Sequence, residues 1–171
     1  MQVLYIMQGA PGSGKSFVAC GIKSAIFYQA PESNLNMFSE YAQIASTDDF
    51  FLVLEPDGER LLHYVFNKEK IGEAHKWNQD RVREWLSKGY SVIVDNTNIK
   101  AWQARPYVEM AVALGIPVIF VRVDGRFQNT HGVPEEVVQK MREGMEELTV
   151  EKCLAAEYPW ETPPEVQEVP S

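Results

Sequence analysis

Residues 9–16 read GAPGSGKS and match the pattern G-x-x-x-x-G-K-[S/T] at every position. They follow an apolar run at residues 2–8 that predicts a buried strand, and they precede a segment that predicts a helix continuing as far as Pro31. In this context the glycines let backbone N–H groups surround phosphate oxygens, and the helix N-terminus adds partial positive charge. The pattern therefore predicts a nucleotide site. Its expected members are Gly9, Ala10, Pro11, Gly12, Ser13, Gly14, Lys15 and Ser16.

Within this loop, two side chains are expected to have distinct roles. Lys15 is predicted to reach the β- and γ-phosphates of ATP, as a catalytic residue as well as a binding one. The hydroxyl of Ser16 is predicted to bind Mg²⁺. ATP and Mg²⁺ are therefore the expected cofactors.

The rest of the chain alternates strand and helix patterns. Further strands are predicted at residues 41–46, 90–94 and 116–123. Helices are predicted at 68–88, from Asn98 or just after it through Leu114 with a kink or restart at Pro106, and from Pro134 to about Leu148. Several strands are continuous apolar runs, which favours an α/β fold with a mostly parallel sheet covered by helices on both faces. Ligands of such sheets bind at the carboxyl ends of the strands.

Length and charge set limits on the kind of protein. The chain has 171 residues and a net charge of −8, of which residues 134–171 carry −7. This distribution argues against a broad basic surface for nucleic acid but allows a local phosphate site. We predict one domain over residues 1–157, with a short lid around 122–133 and an extended or disordered tail over 158–171.

The sequence shows no sign of a membrane or secretory context. It has no run of 18 apolar residues, and its N-terminus lacks the basic lead of a signal peptide. Its two cysteines, Cys20 and Cys153, have no metal-binding spacing and fit a reducing compartment. We expect a cytoplasmic protein without a membrane or an obligate protein partner.

Three carboxylates follow predicted strands. Asp48 and Asp49 come after the second strand, where a kinase needs a carboxylate to take the proton of the acceptor hydroxyl. Asp95 ends the third strand, where a Mg²⁺-organising carboxylate is expected. Two structural alternatives remain open. Thr47 or Asp48 caps a segment beginning at Phe50, and Asp95 forms an Asx-turn.

Other polar residues are weaker candidates. His75 and Gln79 share one face of the long helix and are predicted to contact the substrate, the alternative being a solvated helical face. Arg122 and Arg126 flank the exit of the fourth strand, where arginine neutralises the charge of a transferring phosphoryl group. We assign both to the nucleotide and Arg126 also to catalysis. The alternative for each is a purely solubilising surface charge.

The sequence resembles the polynucleotide-kinase-like branch of P-loop kinases, which includes phage 5′-polynucleotide kinases and small zeta-toxin-like kinases. After GAPGSGKS, the matching pieces occur in the order of the family and cover about residues 1–150. They are STDDFF (46–51), AHKWNQDR (74–81), VIVDNTN (92–98), RPYVEMA (105–111) and NTHGVPEEVVQKM (129–141).

The resemblance implies a three-layer P-loop NTPase/kinase fold and several residue roles. It makes Asp48 the general base and places Thr97 and Asn98 near the acceptor. It also implies a lid over ATP just before HGVP. Phage members carry an arginine for the 3′-phosphate of the acceptor three residues after the matched aspartate. In this chain Phe51 occupies that position at the expected acceptor site.

The acceptor is left open by these patterns. The leading hypothesis is transfer of the γ-phosphate to a hydroxyl of a nucleic acid or nucleotide. That hydroxyl is either a polynucleotide 5′-end or a hydroxymethyl group on a modified base, since phage-type kinases also serve DNA modification. One alternative is the hydroxyl of a sugar, nucleoside or drug. An alternative of another class is a nucleotide-binding switch or ATPase without an acceptor.

Overall fold

In a computed structural model, residues 1–28, 41–54, 62–129 and 132–160 of the chain are described. The strands and helices in chain order are β1 (Leu4–Gln8), α1 (Lys15–Tyr28), β2 (Ala42–Ala45), β3 (Leu52–Leu54), β4 (Leu62–Tyr64), α2 (Ile71–Ser87), β5 (Ser91–Val94), α3 (Ala101–Ala113), β6 (Val118–Arg122), α4 (Glu135–Glu143) and α5 (Val150–Ala155). Two 3₁₀ helices, Thr47–Phe51 and Lys68–Lys70, lie before β3 and α2.

Four parallel strands form the central sheet in the order β2-β5-β1-β6. The predicted strands are confirmed, each with its ends shifted by up to two residues. β5 is buried along its whole length and β1 is nearly so, which explains their continuous apolar sequences. Because β1 lies between β5 and β6, the segments that follow these three strands meet at one edge of the sheet.

The apolar core lies on both faces of this sheet. On one face, Val82 of α2 and Val108 of α3 pack with Leu4 and Ile6 of β1. On the other face, Ala19 of α1 packs with Met7 and Ile93. Helices therefore cover both faces of a mostly parallel sheet, and the predicted α/β class is confirmed.

The prediction of one last helix over residues 134–148 is wrong at its C-terminal end. Helix α4 ends at Glu143, and Gly144 donates its N–H to the carbonyl of Lys140. Beyond it the chain turns back to the sheet, since the Glu146 N–H donates to Ile99 O and the Gln8 amide donates to Glu146 O at 2.7 Å. These long-range bonds hold residues 144–149 out of a helix, and α5 follows as a separate element.

Helix α3 is continuous through Pro106, without the predicted restart. Proline at this position removes one bond, to the carbonyl of Trp102, and burial of Ala104, Tyr107 and Val108 offsets that loss.

The antiparallel pair β3–β4 was not predicted. Leu52 pairs with Tyr64 and Val53 with His63. The sequence EPDGER at residues 55–60, which is typical of a turn, lies outside the described residues. The Val65 N–H donates to Phe51 O at 2.9 Å, which ties the hairpin to the 3₁₀ helix that carries Asp48.

At the C-terminal end, Tyr158 and Trp160 stack with ring centroids 4.8 Å apart, and Trp160 meets Trp102 of α3 edge-on. Most of the predicted tail, residues 161–171, lies outside the described residues, so its boundary stays a prediction. No helix in the described part of the chain combines the length and apolar character needed to cross a bilayer.

Candidate active site

The loop between β1 and α1 has the backbone of a phosphate cradle. Gly12 and Gly14 adopt positive φ angles of 76° and 91°, which turn successive N–H groups toward one concave side. A Cβ atom at Gly12 would also lie 2.6 Å from the carbonyl oxygen of Phe127. The Phe127 N–H in turn donates to Gly12 O at 2.8 Å. The segment after β6 therefore lies directly against the loop.

Lys15 of the loop and Asp95 after β5 line one cavity, and each charge affects the pKa of the other group. Burial lowers the pKa of Lys15, although the charges of Asp95 and Asp48 oppose that shift. Burial likewise raises the pKa of Asp95, against a hydrogen bond from Ser16 and the charge of Lys15. The Lys15 Nζ donates to the carbonyl of Ala10 at 3.1 Å, at the edge of the loop. Burial therefore disfavours the charged forms of both side chains. A phosphate bound near Lys15 and a cation bound near Asp95 would favour those charged forms.

The residues present fit a Mg²⁺ ion. The described residues include three buried side-chain polar atoms without a hydrogen-bond partner, and two of them, Ser13 Oγ and Asp95 Oδ1, lie at the loop. No group of three or more His, Cys, Asp and Glu residues within the described ranges holds a metal by itself. Mg²⁺ bound with a nucleotide takes most of its ligands from phosphates and water. Ser16 and Asp95 therefore suffice as its protein ligands.

A cavity of about 330 Å³ adjoins the phosphate loop. Its floor includes Lys15, Asp95 and Asp48. Ser46 caps the 3₁₀ helix by accepting from the Asp48 N–H, so neither Thr47 nor Asp48 is the cap. The carboxylate of Asp48 accepts instead from the Tyr64 hydroxyl at 3.2 Å. Asp48 thus presents its carboxylate to the cavity rather than to a helix end.

Tyr64 belongs to the described part of the hairpin and marks the outer wall of the cavity. Burial, followed by the charge of Asp48 and the hydrogen bond to it, raises the pKa of Tyr64 to about 12. The rings of Tyr64 and Phe66 pack against Phe51 with centroids 6.1 Å and 5.2 Å away. Phe51 is therefore a buried part of an aromatic wall that also lines the cavity, rather than an exposed contact.

His75 and Asn96 line the same cavity from α2 and from the segment after β5. Nδ1 of His75 lies 3.4 Å from the Thr47 hydroxyl, and burial against the cavity lowers the pKa of His75 against the charge of Asp48. Asn96 accepts from the Thr47 N–H at 2.9 Å and donates to the Tyr107 hydroxyl at 3.2 Å. Asn96 therefore fixes the start of the 3₁₀ helix beside Asp48.

Asp49 is engaged in an ion pair. Arg81 of α2 donates to Asp49 Oδ2 at 2.8 Å and to the Ser46 carbonyl at 3.0 Å. The guanidinium also packs over the rings of Trp77 and Trp85, 4.1 Å and 4.9 Å from their centroids. This arrangement anchors the 3₁₀ helix to α2. Asp49 is absent from the lining of the cavity that contains Lys15, but it lines an adjoining cavity of about 400 Å³ together with Asp48 and Asp95.

The three remaining acceptor candidates lie in different places. Thr97 lines the cavity, and its carbonyl accepts from the Gly9 N–H at 3.0 Å. Asn98 is 2% exposed, and its amide donates to the Met7 carbonyl at 2.8 Å, so its side chain supports β1 instead of facing the cavity. Gln79 lies one helical turn beyond His75, outside the set of residues that lines the cavity.

The predicted lid arginines are both exposed. Arg122 donates to Asp124 at 2.9 Å, so its charge already has a carboxylate partner. Arg126 makes no hydrogen bond or ion pair within the described ranges. The segment 124–129 contains no helix, and Thr130 and His131 lie outside the described residues.

Sequence patterns missed three residues that line the cavity: Tyr64, Phe66, and Asn96 as a positioning residue. The first two lie next to segments that are too short for periodicity to predict. The DNTN piece, which includes Asn96, is expected to line the site by resemblance, but no sequence pattern indicates that Asn96 holds the segment that carries Asp48.

A phosphate loop between the first strand and helix of a parallel sheet covered on both faces defines a P-loop nucleotide-binding domain. The chain belongs to the AAA_33 family, whose model, described as an AAA domain, matches residues 4–148. The finer assignment to the polynucleotide-kinase-like branch stays a prediction.

Two curated proteins and one solved structure illustrate the relationship. Human NEDD4-binding protein 2 is 35% identical over 151 residues, which are 82% of this chain and 7% of that protein, so the chain spans a small part of this relative. The uncharacterized protein PM0531 of Pasteurella multocida is 28% identical over 148 residues, 82% of this chain and 75% of that one. The APS kinase CysC of Mycobacterium tuberculosis is 18% identical with a TM-score of 0.49, covering 84% of this chain and 75% of the other.

Proposed function

We propose that the protein is an ATP-dependent phosphotransferase that transfers the γ-phosphoryl group to a hydroxyl of a nucleic acid or nucleotide. One observation carries the proposal: Asp48 and the phosphate-loop residue Lys15 line one cavity of about 330 Å³. A domain that only hydrolyses ATP has no need of a cavity beyond the phosphates. A kinase needs that space for an acceptor and a carboxylate that faces it.

The chemistry follows from the positions of the side chains. Asp48 accepts the proton of the acceptor hydroxyl, whose oxygen then forms a bond with the γ-phosphorus. The bond from that phosphorus to the β–γ bridging oxygen breaks, and ADP leaves with the electron pair. Lys15 neutralises charge on the phosphate oxygens. Asp48 and Lys15 thus work on opposite sides of the transferring group.

Other residues orient this reaction. Ser16 and Asp95 would hold Mg²⁺, which would supply positive charge to neutralise the phosphate oxygens when bound. Asn96 and Ser46 fix the backbone beside Asp48. Tyr64 donates to the carboxylate of Asp48 and so holds it toward the cavity until an acceptor hydroxyl takes that place.

A small neutral hydroxyl compound is the second candidate acceptor. The observation that favours it is the aromatic wall of Phe51, Tyr64 and Phe66, which borders Asp48 where phage kinases carry a phosphate-binding arginine. Such a wall suits a sugar face, a nucleoside base or a drug ring.

The test offers γ-labelled ATP and Mg²⁺ with three acceptors in parallel: 5′-hydroxyl oligonucleotides, DNA containing 5-hydroxymethylpyrimidines, and a mixture of nucleosides and sugars. We expect label on an oligonucleotide, and mapping it to the end or to a base names the acceptor. Label on small molecules alone would support the second candidate. Label released only as inorganic phosphate, with every acceptor unlabelled, would refute the kinase proposal and favour an ATPase.

Variants test whether phosphoryl transfer depends on Asp48, which lines the cavity. Asp48→Asn should lower transfer about 100-fold or more while nucleotide affinity stays close to that of the unmodified protein, since the carboxylate takes a proton and does not touch the phosphates. Asp80→Asn is the matched control, because Asp80 lies exposed on α2 and pairs with Lys76 and Arg83. Normal turnover by Asp48→Asn would remove the proposed base.

Binding experiments separate the two acceptor classes. Affinity for a polynucleotide falls steeply as salt increases, because counterions are released from its phosphates. Affinity for a neutral sugar or nucleoside should stay nearly constant over the same titration.

A further inference from the structure

Arg142 lies in the last turn of α4, and its guanidinium is held against the phosphate loop. Both terminal nitrogens donate to the carbonyl of Gly125, each at 3.3 Å. Gly125 itself adjoins the loop, because a Cβ atom there would lie 2.4 Å from Ser13 O. The preceding residue, Met141, lines the cavity that Lys15 and Asp48 share. Two separate contacts thus place this part of α4 at the phosphate cradle.

The charge of Arg142 has no carboxylate partner among the described residues. Its two hydrogen bonds share one carbonyl oxygen and are long for a charged donor. The guanidinium is partly buried, and its charge contributes to the lowered pKa of Lys15, after burial of that lysine. A partly desolvated cation next to another cation is stabilised when an anion binds between them.

The other arginines near the loop differ in this respect. Arg122 pairs with Asp124, and Arg81 pairs with Asp49. Arg126 lies exposed after β6. Arg142 therefore combines proximity to Lys15 with a charge that is not already neutralised.

We propose that Arg142 is the second cation of the phosphate site, binding oxygens of the γ-phosphoryl group together with Lys15. The role of Arg142 in catalysis rests on the proposed function, whereas its role in binding the γ-phosphate does not. The planar guanidinium suits two oxygens of one phosphate. In the absence of a nucleotide the guanidinium donates to the backbone carbonyl of Gly125. Arg126 is then not needed to neutralise the charge of the phosphate.

The test compares the affinities of ADP and a non-hydrolysable ATP analogue with Mg²⁺ by isothermal titration calorimetry. In Arg142→Ala, the preference for the ATP analogue over ADP should fall about 10-fold or more, as expected for loss of a hydrogen bond to a charged group. The turnover number should fall about 100-fold, as for other donors that stabilise transition-state charge. Free guanidinium added to Arg142→Ala should restore part of this turnover, and Arg142→Lys should retain part of it.

A control separates this role from support of the helix. Lys140 is also a basic residue in the last turn of α4 and is exposed, so Lys140→Ala removes the same interaction with the helix dipole. It should leave the ATP-analogue preference and the turnover unchanged. A fall in thermal stability for Arg142→Ala, with the preference intact and no rescue by guanidinium, would overturn the inference.

The two proposals fail separately. If the unmodified protein transfers no phosphate but Arg142→Ala loses the ATP-analogue preference, the kinase proposal is wrong and Arg142 still binds the γ-phosphate. If transfer is normal and Arg142→Ala keeps both preference and turnover, the assignment of Arg142 is wrong and the kinase proposal stands.

Discussion

Replacing Asn96 with alanine tests the link between the central sheet and the 3₁₀ helix that carries Asp48. Asn96 accepts from the Thr47 N–H at 2.9 Å and donates to the Tyr107 hydroxyl at 3.2 Å. Thr47 is only 7% exposed, so water cannot readily replace the lost acceptor. An unsatisfied buried N–H costs about 1–3 kcal/mol. The Tyr107 hydroxyl keeps its bond from Asn78 at 3.1 Å, which limits the loss on that side.

We therefore expect Asn96→Ala to lower the free energy of unfolding by about 2 kcal/mol. For a chain of this length that corresponds to a fall in Tm of about 4–8 °C. The turnover number should fall as well, because Thr47 directly precedes Asp48 and the proposed base loses its fixed position. Urea denaturation followed by circular dichroism measures the stability, and the labelled-ATP assay measures turnover.

Asn67→Ala is a matched control for this variant. Asn67 makes the same kind of bond, its side chain accepting from the Glu69 N–H at 2.9 Å, but it is exposed and begins the other 3₁₀ helix. Its loss should cost about 1 kcal/mol or less and leave turnover unchanged. The reasoning is refuted if Asn96→Ala and Asn67→Ala behave alike in both measurements.

Two further predictions concern the contact of Gly125 with the phosphate loop and the position of His75 at the cavity. Gly125→Ala should lower nucleotide affinity about 10-fold or more in calorimetry, because its Cβ atom would lie 2.4 Å from Ser13 O. The control is Gly21→Ala in the middle of α1, where a Cβ atom meets nothing within 4 Å. This variant should raise the free energy of unfolding by about 1 kcal/mol, as measured by denaturation. The imidazole of His75 should titrate below its ordinary pKa of 6.5 in an NMR pH series, and lower still in Asp48→Asn, since burial depresses the pKa while the Asp48 charge opposes that shift. Because the folded-state pKa of His75 is depressed, its contribution to stability is present above pH 6.5 and is lost as the pH falls through the folded-state value; an unchanged or raised His75 titration would contradict this placement.

The sequence was sufficient for those parts of the fold that regular patterns encode. The strands around Ile6, Ile93 and Phe120 are apolar runs in a parallel sheet, and their order along the chain alternates with helices. The phosphate loop was predictable because its pattern needs specific residue types at fixed positions. Asp95 was predictable because its position after a buried strand places it at the ligand edge.

Other features depend on contacts between segments that are distant in sequence. The end of α4 at Glu143 depends on the bonds from Glu146 to Ile99 and from Gln8 to Glu146, which no local pattern contains. The position of the Asn98 side chain also depends on a contact that is distant in sequence. Its position within DNTN suggested an acceptor contact, but its amide is used by the Met7 carbonyl on the neighbouring strand.

The unequal predictability of the two halves of the site has a physical origin. Phosphates are bound by backbone N–H groups, so the donor half requires a fixed loop and a helix start that leave a strong sequence pattern. The proposed acceptor half is built from Tyr64, Phe66 and Phe51, which meet because the β3–β4 pair folds back onto a 3₁₀ helix. Aromatic contacts of this kind accept many sequences. The residues that we propose to select the acceptor therefore lie where the chain carries the weakest pattern. If the proposal is right, replacement of the β3–β4 pair should change the acceptor while ATP binding persists.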